Sequence, residues 1–369
     1  MHKINLYFWQ NCVSPHQLPY IKELYKDTRV DKVFLIVPIL ELLERKAMGW
    51  TSNLSNDGVE LIFSPGKDQI EKLFADNQED SVHFFSGIRA DKFVFGCFKQ
   101  SLSFNIKRGI ITEPPFDYKK PLFLHRIRFL LFDYKYISKI DYVFGMGDQA
   151  VDYYKFWSKK WKVFLFGYCV DIDSNKKSNN QHDVLRFLYI GSLIKRKNVD
   201  LLLRGILNNT NNSEFTLDII GDGPERDSLI KYIHQNKLST WITLLGKLSM
   251  SEIHQKLADY DVLILPSIHD GWGAVVNEGL HNGLYIILSD HCGAKTLIEN
   301  SDRGIIFKSK NLVSLSVAIN SCIQNADLIK SGKQERILWS QRLDGIEFAK
   351  YLVDCIDTMN PIIPPWKKK

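Results

Sequence analysis

Residues 262–279 read VLILPSIHDGWGAVVNEG, and this stretch decides the fold that the sequence predicts. Its first four residues are all apolar, which indicates a short buried strand. A loop with two glycines follows, and a helical pattern begins near Ala274. Strand, glycine-containing loop and helix in this order are typical of a βα unit in a parallel sheet.

The same alternation continues on both sides of this stretch. In the C-terminal half it predicts further strands at 185–190, 215–220, 242–245, 285–288 and 304–307. The N-terminal half follows the same plan less regularly, with strands predicted at 4–8, 33–38, 59–63, 82–85, 109–111, 142–144 and 163–166. We therefore predict an α/β protein with two Rossmann-like, doubly wound domains that face a central cleft.

The domain boundaries follow from the polar stretch at 174–182, which reads as a linker or exposed loop. We expect an N-terminal acceptor domain at 1–168 and a C-terminal donor domain at 169–345. The remaining segment, 346–369, is expected to return to the N-terminal domain.

Composition narrows the class of protein. The chain has 369 residues, of which 45% are apolar and 24% charged, and this length favours two domains over one. Its six cysteines are scattered without Cys-x-x-Cys spacing, which is typical of free thiols in a reducing compartment, so we expect a cytoplasmic protein. The net charge of +6 comes from dispersed clusters, which disfavours nucleic acid and suggests phosphate-bearing partners or peripheral contact with an anionic membrane.

The loop after residue 265 has the chemistry of an anion site. Gly271 and Gly273 let the backbone approach a ligand, and the first helical N–H groups after Ala274 point toward it. Asp270 and Glu278 lie eight positions apart and suit hydroxyl groups of a sugar and a ribose better than a phosphate. An ordinary strand-to-helix turn, with Asp270 as the capping residue, is the alternative.

Two further loops have related features. The loop at 191–198 carries three cations, Lys195, Arg196 and Lys197, ahead of a predicted helix N-terminus, where the helix dipole favours anions. A phosphate neutralised there explains this placement, and exposed, solvated lysines are the alternative. The loop at 221–225 is a glycine turn between strand and helix, which suits a nucleobase or ribose only in the company of the others.

Together, the loops at 191–198, 221–224 and 270–278 resemble those of the retaining glycosyltransferases of family 4, which have the GT-B fold. The resemblance covers most of residues 184–325. It implies a retaining enzyme that moves a sugar from a nucleotide-sugar donor to a glycan or lipid-linked acceptor, in cell-envelope polysaccharide synthesis. It also implies that the reaction requires no metal and no cofactor.

The resemblance assigns roles to individual residues. Asp270 falls at the acid near the donor sugar, Glu278 at the ribose and Lys197 at the phosphate. Ser192 replaces the family's arginine beside the loop glycine, so Arg196 or Lys195 would neutralise the second phosphate charge.

In the N-terminal half, Glu113 stands where the family has a histidine that contacts the donor sugar. We therefore expect catalytic roles for Lys197, Asp270, Glu278 and Glu113, and donor contacts from Gly191, Ser192, Arg196, Gly221, Gly223, Gly271, Trp272, Gly273 and Ala274. The segment at 11–20 resembles the opening loop of one branch of the family, which makes His16 and Gln17 weaker candidates on the acceptor side.

Other readings remain open. A GT-B epimerase or phosphorylase would share the loops, as would a non-catalytic protein that binds a nucleotide or glycan. A Rossmann dehydrogenase is disfavoured because no Gly-x-Gly-x-x-Gly follows the first predicted strand. Asp171-Ile172-Asp173 matches the metal-binding Asp-x-Asp of GT-A transferases, but at a domain boundary we interpret it as a coincidence.

Overall fold

A computed structural model describes the chain at residues 3–40, 58–89, 91–114, 122–157, 162–171, 183–210, 215–358 and 362–368. The chain forms two compact units. The first unit combines Met1–Asp171 with Leu343–Lys369, and the second is Ile172–Arg342. Within the described residues, no helix is long and apolar enough to cross a membrane.

The first unit contains a parallel sheet of seven strands in the order β3-β2-β1-β4-β5-β6-β7. These strands are β1 Ile4–Trp9, β2 Val30–Val37, β3 Val59–Phe63, β4 Ser81–Ser86, β5 Lys107–Thr112, β6 Tyr142–Met146 and β7 Lys162–Phe166. Five of the six residues of β1 are buried, as expected for a strand covered on both faces. All seven predicted strands are therefore confirmed.

Helices accompany this sheet. They are α1 Leu18–Glu23, α2 Lys67–Ala75, α3 Lys92–Ser101, α4 Leu122–Arg128, α5 Tyr134–Ile137 and α6 Asp148–Trp157. A π-helical turn at Phe129–Asp133 joins α4 to α5, so 122–137 is one continuous helical segment. The sequence of 122–137 has a helical pattern, and the structure confirms the helix that this pattern predicts.

The second unit contains a parallel sheet of six strands in the order β10-β9-β8-β11-β12-β13. These are β8 Leu185–Ile190, β9 Phe215–Ile220, β10 Ile242–Gly246, β11 Val262–Leu265, β12 Tyr285–Ser289 and β13 Gly304–Phe307. Its helices are α7 Val199–Leu207, α8 Arg226–Gln235, α9 Met250–Leu257, α10 Val275–His281, α11 Leu312–Gln324, α12 Ala326–Ser331 and α13 Lys333–Ser340. The two doubly wound sheets confirm the predicted fold class.

Local signals in the sequence act as expected at one helix and differ at another. The spacing of Ser249 and Glu252 predicts a capping box at the start of α9. The structure confirms it: the Ser249 hydroxyl accepts from the Glu252 N–H at 3.3 Å, and the Glu252 carboxylate accepts from the Ser249 N–H at 2.7 Å. The pattern at 295–299 predicts a helix, but the structure has a 3-10 turn, Gly293–Leu297, at this place. Gly293 begins this turn, and an added Cβ there would stand 2.1 Å from the Gly271 carbonyl oxygen.

The C-terminal segment completes the first unit. Helix α14, Gly345–Asp357, packs against α1 so closely that a Cβ on Gly345 would lie 2.5 Å from the Pro19 carbonyl oxygen. Beyond it, the buried Trp366 ring stacks on Phe348 with 5.3 Å between ring centroids. The Phe348 ring in turn lies 5.4 Å from the Phe166 ring, so aromatic burial joins the C-terminal segment to the first 171 residues.

The strand order of the second unit creates one special position. The order runs from β8 outward to β10 on one side and from β8 through β11 to β13 on the other. The connections therefore reverse direction between β8 and β11, and ligands of open parallel sheets bind at such a reversal, beyond the carboxyl ends of the strands.

Candidate functional site

Three loops follow the neighbouring strands β9, β8 and β11, so they leave the sheet at the same edge. Backbone hydrogen bonds join them: the Leu193 N–H donates to the Asp222 carbonyl at 2.9 Å, and the Ile268 N–H donates to the Arg196 carbonyl at 2.8 Å. The loop after β8 is thus held between the other two. The three loops that the sequence singles out form one continuous surface.

The glycines of these loops permit the close approach. Gly221 has φ +148°, and a Cβ there would lie 1.9 Å from the Gly191 carbonyl oxygen. At Gly223 a Cβ would lie 2.5 Å from the Leu193 carbonyl oxygen. Any side chain at these positions would force the loops apart. The exposed Ser192 lies beside them.

An ion pair crosses from the loop after β8 to the loop after β11. The Lys197 ammonium group donates to the carboxylate of Asp270. The Arg196 guanidinium lies 3.7 Å from the same carboxylate and donates to the His269 carbonyl at 2.8 Å. Asp270 is only 9% exposed, so two cations compensate a nearly buried carboxylate. This cluster stands at the reversal between β8 and β11.

Backbone contacts fix Asp270 in place. Its N–H donates to the His291 carbonyl at 3.1 Å, and its own carbonyl accepts from the Gly293 N–H at 3.1 Å. The Ser267 hydroxyl lies 3.4 Å from its carboxylate. The alternative interpretation, in which Asp270 caps the next helix, is wrong: α10 begins after Ala274, and no side chain caps it.

Glu278 lies in α10, near the end of the same segment. Glu278 is half-buried, and burial of its carboxyl group raises its pKa from 4.5 to about 7. Asp270 lies beside Lys197 and Arg196. The two carboxylates that the sequence pairs by spacing therefore occupy different electrostatic environments.

Trp272 is the buried aromatic residue of the loop after β11. Its ring is fully buried, and its indole N–H donates to the Asn277 side chain at 2.7 Å. Gly273 has φ +90°, and a Cβ there would lie 2.9 Å from the Cys292 sulfur. The Trp272 side chain is thus packed in the core against α10.

The first unit has its own cavity, of about 450 Å³, beyond the carboxyl ends of β1, β4, β5 and β6. Gln17 and Glu113 line it, and the Tyr168 hydroxyl donates to the Glu113 carboxylate at 3.0 Å. The buried His16 lies behind this wall, with its ring 5.6 Å from that of Tyr168. The structure therefore brings Gln17 and Glu113 together and places His16 one layer deeper.

Several residues of this cavity have no counterpart in the sequence-based prediction. Arg89 and Asp133 form an ion pair at 2.5 Å, and Arg128 lies on the same wall. Burial raises the pKa of Asp133 although both arginines oppose the shift. Tyr168 follows the end of a predicted strand, as Glu113 does, so its position in the sequence could have identified it as a candidate. Arg128 and Asp133 lie within a helical segment, where sequence indicates only an amphipathic pattern.

Metal-ligand side chains do not gather in the described part of the chain: no three His, Cys, Asp or Glu residues there are placed to hold an ion. Of the Asp-x-Asp motif, Asp171 is described and the next two residues lie outside the described ranges.

Part of the chain is similar in sequence to known proteins. Residues 171–336 match the family model of the glycosyl transferases group 1. The GtfA subunit of a UDP-N-acetylglucosamine–peptide N-acetylglucosaminyltransferase from Streptococcus agalactiae is 31% identical over 133 residues. That alignment covers 36% of this chain and 26% of the streptococcal protein, so the chain spans about a quarter of that relative's length.

Solved structures are similar over nearly the whole chain. HepE of Anabaena in complex with UDP superposes with a TM-score of 0.70 at 15% identity, covering 96% of this chain and 99% of that one. The pneumococcal O-GlcNAc transferase GtfA, in complex with UDP and GlcNAc, gives a TM-score of 0.67 at 12% identity and covers 97% and 100%. The chain therefore has the GT-B fold, and its residues 171–336 are similar to the glycosyl transferases group 1.

Proposed function

We propose that the protein is a retaining glycosyltransferase that moves a sugar from a nucleotide-sugar donor to a glycan or lipid-linked acceptor in the cytoplasm. The observation that carries the proposal is the cluster of Arg196, Lys197 and Asp270 at the reversal between β8 and β11. The proposal includes retention of the anomeric configuration and a role in envelope polysaccharide synthesis. Both rest on the resemblance of the three loops to those of the family.

The cationic residues suit a diphosphate leaving group. Lys197 and Arg196 together exceed the charge of Asp270 by one, and Ser192 leaves space where the family has an arginine. A donor diphosphate would take over part of the Lys197 contact. Because negative charge grows on the departing diphosphate, fixed cations there stabilise the transition state more than the ground state. We propose no metal for this step, since the two side chains supply the positive charge.

The carboxylates then have separate roles. Asp270, released in part from Lys197, accepts hydrogen bonds from hydroxyls of the donor sugar, and Glu278 accepts them from the ribose. Uridine is the proposed nucleoside, because HepE and pneumococcal GtfA were solved with UDP and the streptococcal relative is named for UDP-N-acetylglucosamine.

The acceptor is proposed to bind in the cavity of the first unit. Its wall presents amide groups from Gln10 and Gln17, the Tyr168 hydroxyl and the Glu113 carboxylate, which together donate and accept hydrogen bonds. Such a mixture suits the hydroxyl groups of a saccharide.

Replacing Lys197 by alanine tests the proposal. We expect kcat/KM for UDP release from a UDP-sugar to fall by about 100-fold or more, since a fixed charge at the leaving group is lost. The matched control is Lys231→Ala, which removes an exposed cation from α8 of the same unit and should retain most activity. Lys197→Ala protein that is folded and transfers sugar at a near-normal rate would contradict the assignment.

Product analysis separates the other GT-B activities. A transferase extends a saccharide acceptor, an epimerase returns an isomerised nucleotide sugar, and a phosphorylase releases a sugar phosphate. Nucleotide binding without turnover on any donor would identify a non-catalytic binding protein. The same assay therefore distinguishes the proposed transferase from each of these alternative functions.

A further inference from the structure

The helical segment 122–137 exposes an unusual amount of apolar surface. Its exposed large apolar side chains form what we call the apolar face: Phe123, Leu124, Ile127, Leu130, Leu131, Phe132 and Tyr134. Leu131 is 69% exposed and Phe123 58% exposed. Most members recur at helical spacings of three or four residues, so they point to one side. Apolar patches of this kind on a protein surface mark interaction sites.

The patch continues onto the neighbouring helix. Phe156 of α6 is 58% exposed, and the Arg126 guanidinium lies 3.9 Å from the centre of its ring. The cation therefore sits on the edge of the apolar surface with its charge available to the outside.

Cations accompany the apolar face along the segment. Arg126, Arg128, Lys135 and Lys139 lie within or directly after the segment, and its single carboxylate, Asp133, is already paired with Arg89. An apolar face edged by cations is the surface that binds at the boundary between acyl chains and anionic headgroups. Two copies of this chain meeting face to face would bring the same cations together and repel each other.

We propose that the apolar face docks the protein on an anionic lipid surface, with the apolar side chains among the acyl chains and the flanking cations at the headgroups. The docking is independent of the catalytic proposal. The proposed contact is peripheral, because it is made by exposed side chains of one helical segment.

The docking has a consequence for the cavity of the first unit. Arg128, Phe129 and Asp133 of the same segment line that cavity. A helix is about 10–12 Å across, so a docked segment brings the cavity within about that distance of the headgroups. An acceptor anchored in the membrane would then reach the cavity without leaving the lipid. This consequence, unlike the docking, rests on the proposed function.

Vesicle flotation of the full chain tests the docking. We expect the protein to float with phosphatidylcholine vesicles that contain about 30 mol% phosphatidylglycerol and to float much less with pure phosphatidylcholine. The double variant Ile127→Glu/Leu131→Glu should bind the anionic vesicles about tenfold less or worse, because two acids replace two inserted apolar groups. Neither residue lines the cavity.

A matched control variant exists in the second unit. Val313→Glu/Val317→Glu makes the same kind of change, four residues apart, on exposed positions of α11, and it should float like the unaltered protein. Circular dichroism and stabilisation by UDP are measured on all variants, and UDP stabilisation reports on the donor site alone.

Three results would overturn the docking: no flotation of the unaltered protein on anionic vesicles, equal loss in the control variant, or concentration-dependent dimers that the Ile127→Glu/Leu131→Glu variant abolishes. The last result would assign the apolar face to a second copy of this chain. If UDP does not stabilise the unaltered protein although the protein still floats, the result counts against the proposed function and the docking stands.

Discussion

Asp270 and Glu278 lie in one short segment but have different surroundings. Asp270 is kept in place by Lys197, by Arg196 and by backbone contacts to the turn at 291–293. Glu278 lies half-buried in a helix, and burial raises its pKa from 4.5 to about 7. A carboxyl group whose pKa is raised toward neutrality is typical of enzyme sites.

The shifted pKa of Glu278 predicts opposite effects of one substitution on stability and activity. Since folding raises this pKa from 4.5 to about 7, the folded state is favoured by protonation, and stability falls as pH rises through 7. Glu278→Gln should therefore raise the free energy of unfolding at pH 8 by up to about 3 kcal/mol, and Tm with it. Near pH 5 the same substitution should change both little. It should also remove most sugar transfer.

Thermal unfolding across pH and a kcat/KM profile measure both effects. In the unaltered protein kcat/KM should increase as pH rises through about 7, because ribose hydroxyls need the carboxylate as acceptor. Glu299→Gln, an exposed carboxylate in the same unit, is the control and should alter neither curve. A Glu278→Gln protein that is less stable than the unaltered one at pH 8 would contradict the burial argument.

At the scale of elements, the site depends on how closely three strand-to-helix loops approach one another. The loop after β9 lies against the loop after β8 with Gly221 at the contact, where an added Cβ would collide with the Gly191 carbonyl oxygen. Because both partners are backbone, neither can rotate away as a side chain would. The position of Lys197 relative to Asp270 thus depends on residues that never touch a ligand.

Gly221→Ala should therefore destabilise the protein by about 2–4 kcal/mol, through the collision and the unfavourable φ. The matched control is Gly96→Ala in α3, where a Cβ meets nothing within 4 Å. It should stabilise by about 0.5–1 kcal/mol, since alanine favours a helix interior. Chemical denaturation of both variants measures the two signs, and equal effects would refute the packing account.

At the scale of the molecule, the first unit is assembled from two distant parts of the chain. Residues 343–369 pack onto the first 171, through α14 against α1 and through Phe348 against Phe166. The second unit is one continuous stretch, Ile172–Arg342. The two units thus have separate hydrophobic cores, and each is expected to unfold with its own transition.

Trp366→Ala should lower the transition of the first unit by about 3–5 kcal/mol, since it empties a buried aromatic position. The transition of the second unit, identified by its rise with added UDP, should move little. Ile363→Ala, at a position 60% exposed, is the control and should change either transition by less than about 0.5 kcal/mol. Differential scanning calorimetry distinguishes the cases, and a shift of the UDP-sensitive transition by Trp366→Ala would contradict the assignment of the tail.

The sequence by itself determined the strands, their parallel arrangement and the three loops. Runs of β-branched and apolar residues followed by helical periods carry that information locally, so the thirteen strands stand where the pattern predicts them. Glycines and charges at the strand ends likewise identify Gly221, Lys197 and Asp270 without any knowledge of neighbours in space.

Only the tertiary structure decided which of these groups meet. The contact of Lys197 with Asp270 joins residues 73 positions apart, and the cavity that unites Glu113, Tyr168 and Arg128 draws on several strands and a helix. The burial that raises the pKa of Glu278 and hides the Trp272 ring is likewise a property of packing. Local sequence patterns specify elements, whereas strand order, burial and the electrostatic environment of each acid arise only when distant segments are brought together.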